Sequence, residues 1–368
     1  MALTRLAVTN LRNLAQVDIQ PSPDVNLIYG ANGSGKTSLL ESVNLLSMGR
    51  SFRSHKIKPL ITQNAQELTV FGRLFSKGSE LPLGVSRSRS GESQFRVQGR
   101  GVESLAELTS YLPLQVINAD AFTLLEGAPK VRRQFLDWLV FHVEHEFYGV
   151  WKSAQRSLKQ RNTILRRGRI EGYELTPWDR ELVAATERIQ LMREACFTKL
   201  KAVFEPLVKE FVAIEGLTLS LYRGWEKDTD YQELLAQTLD RDIKQGFTGA
   251  GFHRADIRIK INAQSAADVL SRGQQKLLVC ALKLAQGRLF EQITGRKCIY
   301  LVDDLPAELD EKHRHLLVKW LDKLQTQVFI TGVEIEPLLV PWRELNRELK
   351  LFHVEHGAIT SEDYLGEQ

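Results

Sequence analysis

The chain has 368 residues, 43% of them hydrophobic and 26% charged, which is typical of a globular protein large enough for two lobes. The net charge of +4 does not by itself indicate a nucleic-acid partner. No run approaches the ~18 apolar residues of a membrane span, and the first residues lack a signal-peptide core. The three cysteines lie in apolar contexts, which favours buried thiols in a cytoplasmic protein over disulfides or zinc ligands.

The first 98 residues alternate between strand-like segments and turns, which predicts a mixed α/β lobe with antiparallel hairpins. Strands are expected at residues 3–9, 17–19, 25–29, 68–75, 81–88 and 94–98.

A phosphate-binding loop is predicted directly after the third of these segments. Residues 30–37 read GANGSGKT, which fits G-x-x-x-x-G-K-[ST] between an apolar strand and a helix-like pattern. Lys36 is expected to reach the β- and γ-phosphates of ATP, and the hydroxyl of Thr37 to bind Mg²⁺. The alternative is a glycine-rich surface turn. The predicted nucleotide-binding residues are Gly30, Ala31, Asn32, Gly33, Ser34, Gly35, Lys36, Thr37 and Ser38.

From about residue 122 to 245 the pattern becomes helical. A long amphipathic helix is expected to begin at Thr176 and Pro177, as N-cap and first-turn residue. A shorter helix before it carries basic residues and no acid between positions 147 and 170. Its candidate DNA contacts are Arg156, Lys159, Arg166 and Arg167. The alternative for such a stretch is an ordinary solvated face.

After further strands predicted at residues 257–261, 299–302, 327–331 and 351–353, two acids follow an apolar strand at Asp303 and Asp304. Ligands collect at the carboxyl ends of parallel strands. Asp303 is therefore expected to complete the Mg²⁺ site through a bound water, and Asp304 to polarise the attacking water. The alternative is solvated charge or a helix cap.

The segment Leu-Ser-Arg-Gly-Gln at residues 270–274 resembles the signature loop of ABC-type ATPases, usually L-S-G-G-Q, with Arg272 as the departure. The resemblance implies that Ser271 and Gly273, with Gln274 beside them, contact the γ-phosphate bound to a partner subunit. It also implies that Asp310 lies on a loop crossing the dimer interface. The alternative is that residues 270–274 merely start a helix.

The order of motifs is similar to that of the RecF family, bacterial ATPases with SMC-like heads. Residues 9–13 (TNLRN), 49–53 (GRSFR), 127–137 (GAPKVRRQFLD) and 248–256 (TGAGFHRAD) carry this resemblance. It implies that Arg12 contacts phosphate, although an exposed strand-end residue is an equal alternative. It further implies action at gapped single-strand/double-strand DNA in replication restart, recombinational repair and the SOS response to DNA damage, with RecR and RecO supporting recombinase loading.

The resemblance implies an α/β ABC-type ATPase head, with a mixed sheet holding the phosphate loop and an antiparallel β subdomain. The head is expected to combine residues 1–121 and 246–368, with an inserted helical arm at 122–245 formed by short antiparallel helices.

The expected activity is slow DNA-dependent ATP hydrolysis by a homodimer that forms on ATP, with Lys36, Asp304 and Ser271 as catalytic residues. Slow turnover is predicted because Asp304 is one methylene shorter than the glutamate of transporter ATPases and no histidine follows residues 327–330. Thr331 occupies the region of the sequence where that histidine would be expected, and it is a candidate sensor of the γ-phosphate. The alternatives are a monomeric P-loop phosphotransferase and a scaffold that binds ATP without hydrolysing it.

Overall fold

A computed structural model describes residues 1–54, 56–76, 78–102, 104–168 and 172–364. The chain divides into two compact units, one comprising Met1–Ala121 with Cys280–Gln368 and the other Phe122–Val279.

The strands of the described residues are β1 (Ala2–Leu11), β2 (Leu14–Ile19), β3 (Val25–Tyr29), β4 (Glu67–Ser76), β5 (Ser79–Ser88), β6 (Ser93–Val97), β7 (Arg100–Gly101), β8 (Leu114–Ile117), β9 (Leu217–Tyr222), β10 (Asp256–Ile261), β11 (Gln264–Ser265), β12 (Ile299–Val302), β13 (Val328–Gly332), β14 (Leu349–Glu355) and β15 (Ala358–Tyr364). The α-helices are α1 (Lys36–Met48), α2 (Leu105–Tyr111), α3 (Thr123–Glu126), α4 (Pro129–Val143), α5 (Phe147–Leu165), α6 (Gly172–Phe211), α7 (Tyr231–Gln237), α8 (Leu239–Gln245), α9 (Ala266–Val269), α10 (Arg272–Thr294), α11 (Leu305–Glu308), α12 (Glu311–Lys323) and α13 (Glu336–Leu339).

The first unit contains a six-stranded sheet in the order β15-β14-β3-β13-β12-β8. All neighbours in it are parallel except β15, which is antiparallel to β14. Strands β12 and β13 are buried along their whole length, as expected of parallel strands covered on both faces. This order places the carboxyl ends of β3, β13 and β12 side by side.

A second sheet of the first unit is antiparallel throughout, in the order β2-β1-β4-β5-β6-β7. Helix α1 joins both sheets in one core through leucine and valine side chains that have no exposed surface. The phosphate loop therefore leads into a helix that packing holds rigidly. The predicted ABC-type head, with its mixed sheet and antiparallel subdomain, is confirmed.

The second unit contains the antiparallel helix pair α5 and α6 and a three-stranded sheet in the order β11-β10-β9. Helix α5 has 19 residues, about 28 Å at the α-helical rise. Helix α6 has 40 residues, with Pro177 inside it. The prediction that this helix begins at Thr176 and Pro177 is wrong, because the chain is already helical from Gly172 and accommodates the proline near the helix start.

The helical region predicted for residues 122–245 contains one strand that the pattern did not indicate. Strand β9 pairs with β10 from Leu217↔Ile261 to Tyr222↔Asp256. This pairing places β10 and the segment after it in the second unit. That unit ends at Val279, whereas the helical arm was expected to end at residue 245.

Cysteines 196, 280 and 298 are buried, as predicted. Among the described residues, no helix combines the length and apolarity that crossing a membrane requires.

Candidate nucleotide site

The predicted phosphate loop and acid pair meet at the carboxyl edge of the parallel sheet. Gly30 follows β3, Thr331 lies near the end of β13, and Asp303 follows β12. Since β13 lies between the other two strands, Thr331 stands between the loop and the acids. Together these segments line a cavity of about 640 Å³.

The loop depends on glycine at its first position. Gly30 has φ 144°, and a Cβ there would lie 2.2 Å from the carbonyl oxygen of Val354. Ser34 is 6% exposed, and its hydroxyl has no hydrogen-bond partner among the described residues. A buried unsatisfied polar atom calls for a ligand or water, and a phosphate oxygen would supply the missing partner.

Asn13 supports this loop from the turn between β1 and β2. Its amide nitrogen donates to the carbonyl oxygens of Gly33 at 3.2 Å and Ser34 at 2.8 Å. Its side-chain oxygen accepts from the Ser38 hydroxyl at 3.1 Å. Asn13 thus binds carbonyl oxygens of the loop, while the N–H groups of the loop stay available to bind phosphate. In the sequence, Asn13 was indicated only as part of the family resemblance, and its contact with the phosphate loop was not predicted.

Lys36 is folded back onto the loop that precedes it. Its Nζ donates to the carbonyl oxygens of Gly30 at 2.7 Å and Ala31 at 2.9 Å. Burial lowers the pKa of Lys36, while the negative charges of Asp304 and Asp303 act in the opposite direction. The ammonium is therefore hydrogen-bonded to neutral carbonyl oxygens. A phosphate can displace these oxygens, because it forms a stronger, charge-assisted contact with the ammonium.

Thr37 and Asp303 form the predicted metal pair. The Thr37 hydroxyl donates to Asp303 Oδ1 at 3.0 Å. A hydroxyl and a carboxylate would both suit Mg²⁺, which takes oxygen ligands and keeps several of its waters. Burial raises the pKa of Asp303, opposed by the hydrogen bonds from Thr331 and Thr37. The donor set thus fits Mg²⁺.

Asp304 lies at the entrance to α11 in the left-handed region, with φ 52° and ψ 51°. Its backbone N–H donates to Thr331 Oγ1 at 2.7 Å, and the residue lines the cavity. Asp304 occupies the N-cap position of α11, but among the described residues its side chain makes no capping hydrogen bond.

Arg12 has a partner that the sequence did not indicate. Its guanidinium is paired with the carboxylate of Glu41, through Nε–Oε2 at 2.9 Å and Nη2–Oε1 at 3.0 Å. The Glu41 side chain has no exposed surface and also accepts from the Ser51 hydroxyl. Arg12 still lines the cavity, so a phosphate contact stays a prediction. Glu41 was missed because a lone glutamate in a helix pattern carries no distinguishing signal.

The signature-like segment forms a capping box at the start of α10. The backbone N–H of Gln274 donates to Ser271 Oγ at 3.3 Å, and the Ser271 N–H donates to Gln274 Oε1 at 3.0 Å. Ser271, Arg272 and Gly273 are exposed. A Cβ at Gly273 would meet nothing within 4 Å, so the space in front of the helix start is open.

Asp310 caps helix α12, where its carboxylate accepts from the backbone N–H of His313 at 3.0 Å and contacts the His313 ring at 2.7 Å. These hydrogen bonds lower the pKa of Asp310. The residue is exposed, so its carboxylate is accessible for the predicted interface role.

The basic residues singled out in and directly after α5 differ in burial. Arg156, Lys159, Arg166 and Arg167 are exposed, whereas Arg161 is completely buried and ion-paired. Arg156 lies over the Trp178 ring at 5.9 Å, and Arg167 is 3.5 Å from Glu174. We call the four exposed residues the basic ridge.

A family model described as RecF/RecN/SMC N terminal domain matches residues 2–359. The chain belongs to this family. Over nearly its whole length it is similar to RecF proteins. The DNA replication and repair protein RecF of Cellvibrio japonicus is 58% identical over 362 residues, 98% of this chain and 99% of that protein. The RecF protein of Azotobacter vinelandii is 53% identical over 361 residues, 98% of each chain.

Solved structures agree with the assignment to the SMC-like RecF proteins. One described as the recombination mediator protein RecF with ATP in the RecFOR pathway has a TM-score of 0.86 at 26% identity, covering 98% of this chain and 97% of that chain. An Smc head bound to the C-winged helix domain of ScpA has a TM-score of 0.60 at 15% identity, covering 99% and 98%. The latter likeness shows the fold alone, and the predicted RecF family is confirmed.

Proposed function

We propose that this RecF family member is a DNA-repair ATPase whose ATP-dependent dimerisation switches its binding to gapped DNA. The observation that carries the proposal is the Thr37–Asp303 contact of 3.0 Å beside the lysine of a phosphate loop. The relatives support it, since one is named a DNA replication and repair protein and another is described with ATP.

In this mechanism the loop N–H groups and Lys36 bind the β- and γ-phosphates, while the Ser34 hydroxyl takes a phosphate oxygen as its partner. Thr37 and Asp303 would hold Mg²⁺, which neutralises the charge that develops on the phosphates. Asp304 orients and polarises the attacking water from the edge of the cavity. The short aspartate side chain supports slow turnover.

Completion of the site by a second copy is supported by the open space around Gly273 and the exposure of Ser271. In a two-fold dimer each nucleotide would be contacted by one phosphate loop and by the partner's signature segment. ATP then favours the closed dimer through its γ-phosphate, and hydrolysis removes that contact. Asp310 contributes an exposed acid to the same interface.

DNA is proposed to contact the basic ridge, whose four cations are exposed. A structural relative is described as acting in the RecFOR pathway, which supports RecR and RecO as functional partners in loading recombinase.

The experiment that tests this function measures ATP hydrolysis against protein concentration, with and without gapped duplex DNA. A dimeric ATPase gives activity per protomer that rises with concentration and with DNA. Constant activity that requires an added acceptor would indicate the phosphotransferase instead, and nucleotide binding without turnover would indicate the scaffold.

Ser271→Arg makes the same experiment residue-specific. We expect the variant to bind ATP as a monomer within about twofold of the parent, because Ser271 lies outside the phosphate loop, and to lose dimerisation and hydrolysis. Thr198→Arg, at another exposed position, is the control. Normal turnover by Ser271→Arg would refute completion of the site by a partner.

A further inference from the structure

Thr331 is buried between the two acids of the nucleotide site. Its exposed fraction is 0%, and it lies on β13, the strand between the phosphate-loop strand and the strand that precedes Asp303. Its hydroxyl donates to Asp303 Oδ1 at 2.8 Å and accepts from the backbone N–H of Asp304 at 2.7 Å. One side chain is thus bonded to both acidic residues.

This geometry argues against the sensor role expected for Thr331. A threonine hydroxyl has a single proton, and here Asp303 already receives it. A contact with the γ-phosphate would require Thr331 to release the carboxylate on which the metal site depends.

We propose that Thr331 is a positioning residue that sets the geometry of the metal-binding acid and the water-polarising acid together. This inference rests on the proposed function, because it assigns Thr331 a task within the same ATPase site.

The first part of the task concerns the Asp303 carboxylate. Thr37 and Thr331 both donate to its Oδ1, at 3.0 and 2.8 Å. Thr37 is itself the metal ligand expected from the phosphate-loop pattern, so its contact with Asp303 changes when a cation is bound. The Thr331 bond involves no ligand group other than Asp303 and can persist, which keeps the carboxylate oriented toward Thr37.

The second part concerns the backbone of Asp304. With φ 52° and ψ 51°, this residue occupies the left-handed region, which is uncommon for residues other than glycine, although aspartate is one of the few that tolerate it. The hydrogen bond from its N–H to Thr331 stabilises that conformation. The residue expected to polarise water is therefore fixed through the same hydroxyl that orients the metal-binding acid.

The test compares Thr331→Val, which removes the hydroxyl but keeps the branched shape, with Thr331→Ser, which keeps the hydroxyl. Binding of a fluorescent ATP analogue is measured at equilibrium in Mg²⁺ and in EDTA, and kcat and KM are measured separately. Thr331→Ala provides a second hydroxyl-free variant if the valine variant does not fold. Thr326→Val is the matched control, because Thr326 is also buried and donates to the carbonyl oxygen of Cys298.

We expect Thr331→Val to bind the analogue in EDTA like the parent, and to lose about 10- to 100-fold of the affinity gained with Mg²⁺. We also expect kcat to fall by about tenfold or more. Thr331→Ser should restore both to within about threefold, and Thr326→Val should change neither.

The role of Thr331 is overturned if the hydroxyl-free variants keep the parent's Mg²⁺ dependence and kcat. It is also overturned if they lose affinity equally in EDTA, or if folded Thr331→Ser fails to restore function. Failure of the proposed function looks different, because the parent itself would then lack ATP hydrolysis that rises with protein concentration and with DNA.

Discussion

Two groups of ionisable residues, one in each unit, differ in whether their charges are neutralised by opposite charges. In the nucleotide site, the Lys36 ammonium is held by two neutral carbonyl oxygens, and Asp303 accepts only neutral hydroxyls among its described side-chain partners. In the second unit, Arg161 donates to Asp179 at 2.7 Å and to Asp242 at 2.8 Å. We call Arg161, Asp179, Asp242 and Thr248 the Arg161 cluster.

The difference lies in what each group leaves for a ligand. The Arg161 guanidinium is matched by two carboxylates and also donates to Thr248 at 2.8 Å, although its Nη2 has no partner among the described residues. Among the described residues, the nucleotide site instead combines a Ser34 hydroxyl that has no hydrogen-bond partner with a lysine whose ammonium donates to two carbonyl oxygens. Clustered charge indicates a ligand site where the charges are not already neutralised by one another.

The largest effect should follow from removing the cation of the nucleotide site. Lys36→Met is expected to lower ATP hydrolysis by about 100-fold or more and to abolish dimerisation on ATP, with little change in the urea midpoint. Light scattering and steady-state kinetics measure these effects, and Lys199→Met, at an exposed position, is the control. A Lys36→Met protein that dimerises on ATP with normal affinity would show that Lys36 is not the cation that binds the nucleotide.

Removing the cation of the Arg161 cluster should affect stability instead. Arg161→Met leaves the fully buried Asp242 carboxylate without its counter-ion, which is expected to cost about 3–5 kcal/mol. Urea unfolding measures this cost, and nucleotide affinity should be unchanged. Arg156→Met, on the exposed side of the same helix, should cost about 0.5 kcal/mol or less. Equal costs for the two variants would show that the cluster does not stabilise the unit.

A smaller, pH-dependent effect is expected beside the Arg161 cluster. Burial lowers the pKa of His253 to about 4, against its hydrogen bond to the Thr248 carbonyl. The unfolded chain therefore binds more protons than the folded chain between about pH 6.5 and pH 4. Stability should fall as pH falls through this window, by at most about 3 kcal/mol.

Urea unfolding between pH 4 and pH 7 tests the His253 effect. His253→Gln should flatten the curve over that window, while nucleotide affinity at pH 7 stays at the parent value. An identical pH dependence in both proteins would assign the effect to other groups.

The smallest effect is expected from the basic ridge, because its cations are exposed and screened by salt. Replacing Arg156, Lys159, Arg166 and Arg167 with glutamate should weaken binding of gapped duplex by about tenfold. The slope of log K against log salt should become shallower by about 0.9 for each phosphate that the protein no longer neutralises.

Fluorescence anisotropy over a salt series measures both quantities for the basic ridge. The control reverses four other exposed cations, Arg180, Lys199, Lys209 and Lys244. If the control weakens binding as much as the ridge variant, DNA is attracted by overall charge and not by the ridge.

The sequence by itself determined the family, the head fold and the order of the nucleotide motifs. The strands around the phosphate loop were predictable because alternation and glycine-rich turns act within a few residues. Asp303 and Thr37 were predictable as a pair, although they are 266 positions apart, because parallel strands bring their carboxyl ends to one edge.

Only the tertiary structure decided which side chains serve those motifs. Arg12 is ion-paired with Glu41, and Arg161 is buried against Asp242 although it lies in a basic stretch. Thr331 is hydrogen-bonded to both Asp303 and Asp304. Strand β9 exists because β10 pairs with it, so the local helical pattern could not reveal it. The physical reason is the same in each case: these choices depend on burial and on partners distant in the chain, which local propensity does not encode.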